Sequence, residues 1–358
     1  MDRLNKISFM SRGDFLPWLL VAILAGIWAL LLSWLAIAQH ESFNNVGNDF
    51  GIYAQLVWTA SEGRPFYSSL TRQTTNFLGH HFMPLVTIIS PFYRLWPDAR
   101  LMLIAQAIML ATGAFPLFAF ARRRLSQGIA FLVVIAYLLS PFLAFIALFE
   151  FHEIALSVPF LIAAGAALLE KRNYATVLWL IPALLAKEEV ALIAIGFGFY
   201  ALFIQRRWRF GVGLTIGTVV WAISLFGWII PTLNYIEKNY TFAYRYPSLG
   251  DTPRKIVISA LTKPTLVLTL LSDEIKHRFL LKLMIPLGGL PLLGLPAMLL
   301  AFPTLTYLML SEYSLHFDIS HHYSAPILPF LYLSAVVALE RLQRWNPKLG
   351  WSGVAFLL

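Results

Sequence analysis

The stretch from Phe15 to Ala38 reads FLPWLLVAILAGIWALLLSWLAIA and holds no charged residue. At about 24 residues it would rise roughly 36 Å as a helix, more than the hydrocarbon core of a bilayer. Arg3, Lys6 and Arg12 precede it, and Ala36-Ile37-Ala38 imitates a signal-peptidase site. A signal h-region spans only roughly 7–15 residues, so the run reads as an uncleaved first membrane helix.

Working outward, similar apolar runs recur at 101–121, 128–148, 154–169, 174–186, 189–204, 211–231, 279–290, 293–310 and 324–339. Several are short for a crossing, which places their ends below the surface beside a cavity. The chain ends in a further apolar start, Trp351 to Leu358, read as a last helix cut short. Hydrophobic residues make up 59% of the 358 positions and charged residues 13%. Soluble domains carry roughly 25% charged residues, so lipid is the solvent that accounts for this chain. Helices suit lipid because they satisfy their own backbone hydrogen bonds. The expected fold is all-α: a polytopic transmembrane helical bundle forming a single domain over residues 1–358.

The net charge of +9 is assigned to cationic loops near anionic lipid, not to a nucleic-acid partner. With no cysteine there are no disulfides or thiolate metal sites. The basic loops Arg122-Arg123-Arg124, Lys171-Arg172, Arg206-Arg207 with Arg209, and Arg341 with Arg344 and Lys348 close alternate helices. The loops at 149–153 and 311–323 contain no Lys or Arg. The asymmetry puts the N-terminus on the cytoplasmic side. Two large outer elements remain, 39–100 and 232–278. Within the first, 82–96 is broken by Pro84 and Pro91 and reads as an interfacial helix that does not cross. Phe50, Tyr53, Ala54, Val57 and Trp58 form an apolar stripe opposite Gly51, Gln55 and Thr59, the pattern of a second interfacial helix. The second contains Tyr240, Tyr244-Arg245-Tyr246, Asp251 and an amphipathic stretch after Pro253.

All eight histidines fall on the outer side of this topology: His40, His80, His81, His152, His277, His316, His321 and His322. Asp49, Glu150, Glu153, Glu188, Glu189, Asp251, Glu312 and Asp318 join them. Ionisable groups at membrane depth cost about 2.5–3.5 kcal/mol each, so a set at helix ends implies a shared polar cavity. Four clusters stand out, each with a plain alternative. Asn48-Asp49 fits a helix N-cap as well as a reacting carboxylate. Glu150-Phe151-His152-Glu153 fits loop polarity or catalysis. Lys187-Glu188-Glu189 interrupts an apolar run and fits an internal ion pair or a ligand site. His321-His322-Tyr323, after Asp318, fits interface anchoring or substrate contact. Histidine and carboxylate ligands suit a divalent cation, but no HExxH spacing defines one. There is no Walker loop, GxGxxG or GxSxG.

Asn48-Asp49-Phe50-Gly51-Ile52-Tyr53, His80-His81-Phe82-Met83-Pro84-Leu85 and Phe118-Ala119-Phe120-Ala121-Arg122-Arg123-Arg124-Leu125 follow one another in an order that resembles the GT-C membrane glycosyltransferases. Phe149-Glu150-Phe151-His152-Glu153, Lys187-Glu188-Glu189 and His322-Tyr323-Ser324-Ala325-Pro326 look like motifs of a bacterial family of polytopic membrane proteins, domain of unknown function 2079, placed near them. The resemblance spans about 45–341. It implies a GT-C-like fold in the bacterial cytoplasmic membrane, moving a sugar from a polyprenyl-phosphate donor to an acceptor at the outer face. On that resemblance Asp49 matches the first-loop carboxylate at the reacting centre. Glu150 or Glu153 resembles a second acidic site that binds a metal in some of these enzymes. His152 joins them as catalytic. His80, His81, Lys187, Glu188, Tyr244, Arg245, His321, His322 and Tyr323 are the expected substrate contacts. The mannosyltransferases of that group have two adjacent acidic residues in the first loop, and Asn48 takes one place here. Two rivals stand beside this reading: a transporter or flippase using Lys187, Glu188 and Glu189 as a proton relay, and a non-catalytic membrane subunit of a larger complex.

Overall fold

A computed structural model describes residues 12–44, 47–71, 76–234 and 241–355. Arg3 and Lys6 of the basic N-terminus, Tyr240, and the last three apolar residues lie outside them. Among the described residues there is no strand, only one isolated bridge between Tyr67 and Asn76.

The first helix, α1, runs Arg12–Glu41. A shorter α2, Asn48–Ser61, follows, then a 3₁₀ turn over Phe77–Gly79, another over Pro84–Ile89, and α3, Ser90–Leu95. Neither Pro84–Ile89 nor α3 is long enough to cross a bilayer, and Ile88, Phe92 and Leu95 are exposed. The expected crossing at 101–121 is two helices, α4 (Arg100–Thr112) and α5 (Ala114–Arg122). The joint is Gly113, where any Cβ would collide with the Tyr137 hydroxyl, which in turn donates to the Leu110 carbonyl (2.7 Å). The expected 128–148 crossing is likewise α6 (Gln127–Leu138) and α7 (Pro141–Leu148), broken where Pro141 removes a backbone donor.

Next come α8 (Val158–Leu169), α9 (Asn173–Leu184) and α10 (Val190–Phe199), the last continued by a π turn over Tyr200–Ile204. Then α11 (Trp208–Ser224) runs through a second π turn into α12 (Ile230–Leu233). The segment from 241 to 284 holds α13 (Pro253–Thr262), α14 (Pro264–Leu271) and α15 (Glu274–Met284). The last of these corrects an expectation: 279–290 is not a crossing. It is the end of an amphipathic helix that buries Lys276, followed by Gly288 and Gly289 in left-handed conformation. The expected helix at 293–310 is fragmented into α16 (Leu290–Leu293), α17 (Leu295–Met298) and α18 (Phe302–Leu310), because prolines recur at their first turns. Finally α19 (Leu328–Trp345) is buried along most of its length, and α20 (Pro347–Ala355) packs back against it.

Among the described residues, four apolar helical segments are long enough to cross a membrane: Phe15–Glu41, Arg100–Arg122 (α4 with α5), Gln127–Leu148 (α6 with α7) and Trp208–Leu233 (α11 to α12). Shorter apolar helices are Glu153–Leu169, Asn173–Leu184, Val190–Ile204 and Leu295–Leu310. The basic loops meet at one end of the bundle. Arg123 and Arg124 pair with Glu170 (2.7 and 2.9 Å), Arg124 also approaches Glu340 (3.4 Å), and Arg207 donates to the Lys171 carbonyl (3.2 Å). The opposite ends of the same helices carry the 149–153, 187–189 and 322–324 segments.

The stripe on α2 needs revision. Phe50, Tyr53, Leu56 and Val57 are buried, while Trp58 is 45% exposed and Thr59 is fully buried. Thr59 is satisfied locally, its hydroxyl lying 3.0 Å from the Tyr67 carbonyl. The buried face packs on Phe77, Met83, Val86, Met102 and Phe151, a small second core roofing the site end of the bundle.

Candidate functional site

Four connections converge at that end. Gly79 lies so close to α12 that an added Cβ would sit 2.5 Å from the Leu233 carbonyl carbon, and this contact seats His80 and His81. The 149–153 segment leaves α7 in extended conformation at Phe149, and buried Gln106 of α4 anchors it. The Gln106 side-chain oxygen accepts from the His152 N–H (2.8 Å), and its amide donates to the Ile146 carbonyl (2.9 Å). Lys187-Glu188-Glu189 forms the turn between α9 and α10, and a 3₁₀ turn over His322–Ser324 precedes α19.

The result is a small polar cavity of about 100 Å³, with Asp49, His80, His81, His152, Lys187, Phe242, Arg245, His322 and Tyr323 in its wall. Two histidine–carboxylate pairs face each other across it. His81 Nδ1 lies 2.7 Å from a Glu188 oxygen, leaving Nε2 as its other nitrogen. His152 Nε2 lies 3.5 Å from an Asp49 oxygen, and its Nδ1 is 3.0 Å from the Glu150 carbonyl, the arrangement of an Nδ1–H donor. The His152 ring also stacks on His322, centroids 3.7 Å apart. Beneath them Lys187 Nζ sits 2.9 Å from fully buried Glu153, which accepts from the Tyr53 hydroxyl. Arg245 lies over Phe242 (4.5 Å), Tyr313 (5.2 Å) and Tyr323 (5.6 Å), with His316 Nε2 3.3 Å from Nη1.

These contacts set the charges. The neighbouring His152 ring holds the Asp49 carboxyl below its ordinary range, against the effect of burial. Burial pushes Glu150 up. Burial also works against the Lys187 ammonium, but Glu153, Glu189 and Glu188 outweigh it and raise its pKa. Burial drives His80 and His316 down to about 3, aided by His81 and Arg245 respectively, and drives His322 well below 6.5. His80, His316 and His322 are thus neutral at pH 7, whereas Lys187 and Asp49 are charged.

Of the residues singled out from sequence, most line this cavity, and five do not: Glu150, Glu153, Glu188, Tyr244 and His321. Glu150 points to the start of α2, where one oxygen accepts from the Gly47 and Phe50 N–H groups (3.1 and 3.4 Å). It serves as the anionic cap of that helix, whose own N-cap, Gly47, has no side chain. The Asn48-Asp49 pair therefore does not provide the cap. Tyr244 is 59% exposed and stands at the rim, edge-on to Tyr313. His321 turns to Asp318 (3.3 Å). Glu153 and Glu188 act from behind the wall through Lys187 and His81. The sequence reading missed Tyr53, Gln106, Phe242 and the partnership of His316 with Arg245. A Gln inside an apolar helix was the one available signal, since a buried amide in lipid must have partners.

Asp49, Glu150 and His152 each present a ligand atom within 4.8 Å of the others. Two oxygens and an imidazole whose other nitrogen is fixed by a carbonyl suit a divalent cation. The spread fits the larger ions, since two calcium–oxygen bonds of about 2.5 Å span roughly 5 Å.

A helical membrane bundle with this polar cavity at one end has the GT-C glycosyltransferase-like fold. The likeness is to ArnT from Cupriavidus metallidurans, solved bound to undecaprenyl phosphate: TM-score 0.52 at 17% identity over 91% of this chain. This chain spans 62% of that protein's length. Residues 39–358 match the family model described as "Predicted membrane protein (DUF2079)", and the chain belongs to that family. No curated protein matches.

Proposed function

We propose that this protein is a GT-C-type glycosyltransferase moving a sugar from a polyprenyl-phosphate donor to an acceptor hydroxyl. The observation that carries the reading is Asp49, an ionised carboxylate half in solvent, set across a small cavity from Arg245 and Lys187 in a fold like one solved with undecaprenyl phosphate. Asp49 takes the acceptor's proton as that oxygen attacks the anomeric carbon. The bond from that carbon to the phosphate oxygen breaks, and the lipid phosphate departs with the electron pair. Arg245, oriented by its rings, faces the charge that develops there. His152 holds Asp49 in place and favours its ionised form.

A divalent cation, held by Asp49, Glu150 and His152, would supply further stabilisation of phosphate charge. The site end is the outer face on the positive-inside argument, with the basic loops cytoplasmic.

The test uses purified protein and a panel of labelled polyprenyl-phosphate sugars. Wild type should bind and turn over at least one, with or without chelator according to metal use. Asp49→Asn should fold, bind donor and lose about 10²–10⁴-fold in turnover. Full turnover by a folded Asp49→Asn protein removes Asp49 as base. If folded wild type neither binds nor consumes any donor, the transporter or subunit reading replaces this one.

A further inference from the structure

A second and larger cavity, about 490 Å³, lies near the basic end of the bundle, away from the polar site. It runs between α1, α4 and α5 on one side and α8 and α9 on the other. Its floor is made of short side chains, among them Ala119, Ala163, Ala167 and Ala175, which cannot fill the space between the helices. Two stacked aromatic pairs form its walls: Trp18 on Phe115 (centroids 6.5 Å) and Phe160 on Trp179 (6.2 Å). The four rings thus bound a space above the short floor residues, and pockets of roughly 300–1,000 Å³ are the usual size for a small-molecule guest.

The mouth is different in kind. Arg123, Glu170 and Arg172 stand there. Glu170 is mostly buried and gathers Arg123 (2.7 Å), Arg124 (2.9 Å) and Arg172 (3.7 Å), while Arg172 keeps 61% of its side chain exposed. Glu170 and, through Arg124 (3.4 Å), Glu340 set two carboxylates against three guanidiniums and the adjacent Lys171, which leaves the mouth positive and Arg123 and Arg172 aimed by a fixed partner. Outward-facing Leu178 and Ile181 of α9 are exposed, so the surface beside the groove is apolar.

We infer that this groove is a binding site for an anionic glycerophospholipid of the surrounding bilayer: one acyl chain lies between the aromatic walls and the head-group phosphate meets Arg123 and Arg172. Charge complementarity selects this occupant. A bare apolar groove would accept any acyl chain, whereas a paired-guanidinium mouth at the head-group level favours phosphate without a compensating amine. The inference is independent of the function proposed for the other cavity.

The experiment is native mass spectrometry of the full chain, equilibrated in detergent with phosphatidylglycerol or phosphatidylcholine. Wild type should retain phosphatidylglycerol in preference. Arg123→Ala/Arg172→Ala should lower its affinity about 30-fold and leave phosphatidylcholine unchanged, given the contribution of each surface cation. Ala163→Phe should fill the groove and lower retention of both. A photo-crosslinking lipid, added to the unsubstituted protein, provides an arm that does not depend on variant folding. Crosslinks to the residues of the groove support the site, and crosslinks confined to other surfaces overturn it. Equal retention of the two lipids by wild type, or no loss in the arginine variant, also overturns it.

Discussion

Lys187→Met tests the charge network under the cavity. Lys187 and Glu153 form a 2.9 Å pair with 6% and 0% side-chain exposure. At an effective dielectric of about 20 that separation corresponds to roughly 6 kcal/mol of attraction, opposed by several kcal/mol of desolvation for each ion. The net value of the pair is therefore small, but removing one partner strands the other. Lys187→Met should cost on the order of 3–5 kcal/mol, because fully buried Glu153 would lose its nearest cation and be left charged or forced to protonate. Glu153→Gln should cost a similar amount, since the amide still accepts from Tyr53 but leaves Lys187 without its nearest carboxylate. The double variant should recover much of the loss, giving a coupling energy of about 2 kcal/mol or more. Thermal unfolding of the detergent-purified proteins, followed by tryptophan fluorescence, measures each corner of the cycle. Additive single-variant losses would refute the argument, as would a Lys187→Met protein as stable as wild type.

The remaining expectations concern the wall of the cavity. His316, with a pKa of about 3 in the folded state against roughly 6.5 unfolded, should make the protein acid-sensitive. Between those values the unfolded chain binds the extra proton, so stability present at neutral pH is lost as pH falls, by about 2 kcal/mol at pH 5. A His316→Gln protein whose unfolding temperature drops as steeply from pH 7 to pH 5 would contradict this. Gly79→Ala should lower stability by about 1–3 kcal/mol and weaken donor binding, because the new methyl meets the Leu233 backbone and must push His80 and His81 away. Unchanged melting and binding would show that the turn yields at no cost. Arg245→Ala should weaken donor binding at near-wild-type stability, and Arg245→Lys should restore little, since an ammonium cannot reproduce the planar stacking; calorimetric titration with a polyprenyl phosphate decides it.

The membrane character of the chain was legible because it depends on composition and run length, which do not need tertiary context. The breaks within helices were less so. Pro141 announces the joint between α6 and α7, but that the residue between α4 and α5 must be a glycine follows only from Tyr137, far along the chain, whose hydroxyl occupies the space a Cβ would need. The 274–284 helix was misread because its apolar half looks like the start of a crossing, and only packing reveals that Lys276 is buried against the Met309 carbonyl (2.7 Å). At the site, titratable residues at segment ends were visible as a set. Their assignments were not: Glu150 and Glu153 are three positions apart, yet one caps α2 and the other neutralises a lysine.

That difference separates two roles that the sequence alone left merged. Lys187 and Arg245 are both expected substrate contacts from the sequence. In the structure Lys187 is bound to Glu153, with Glu189 also near at 4.0 Å, so a phosphate drawing on its charge would compete with a carboxylate already in contact. Arg245 is positioned differently: its contacts include the faces of Phe242, Tyr313 and Tyr323 and a neutral imidazole. Rings orient a guanidinium without cancelling its charge. Substitution at Lys187 should therefore appear first in stability and substitution at Arg245 first in affinity. Greater loss of affinity than of stability in Lys187→Met, with the reverse in Arg245→Ala, would exchange the two assignments.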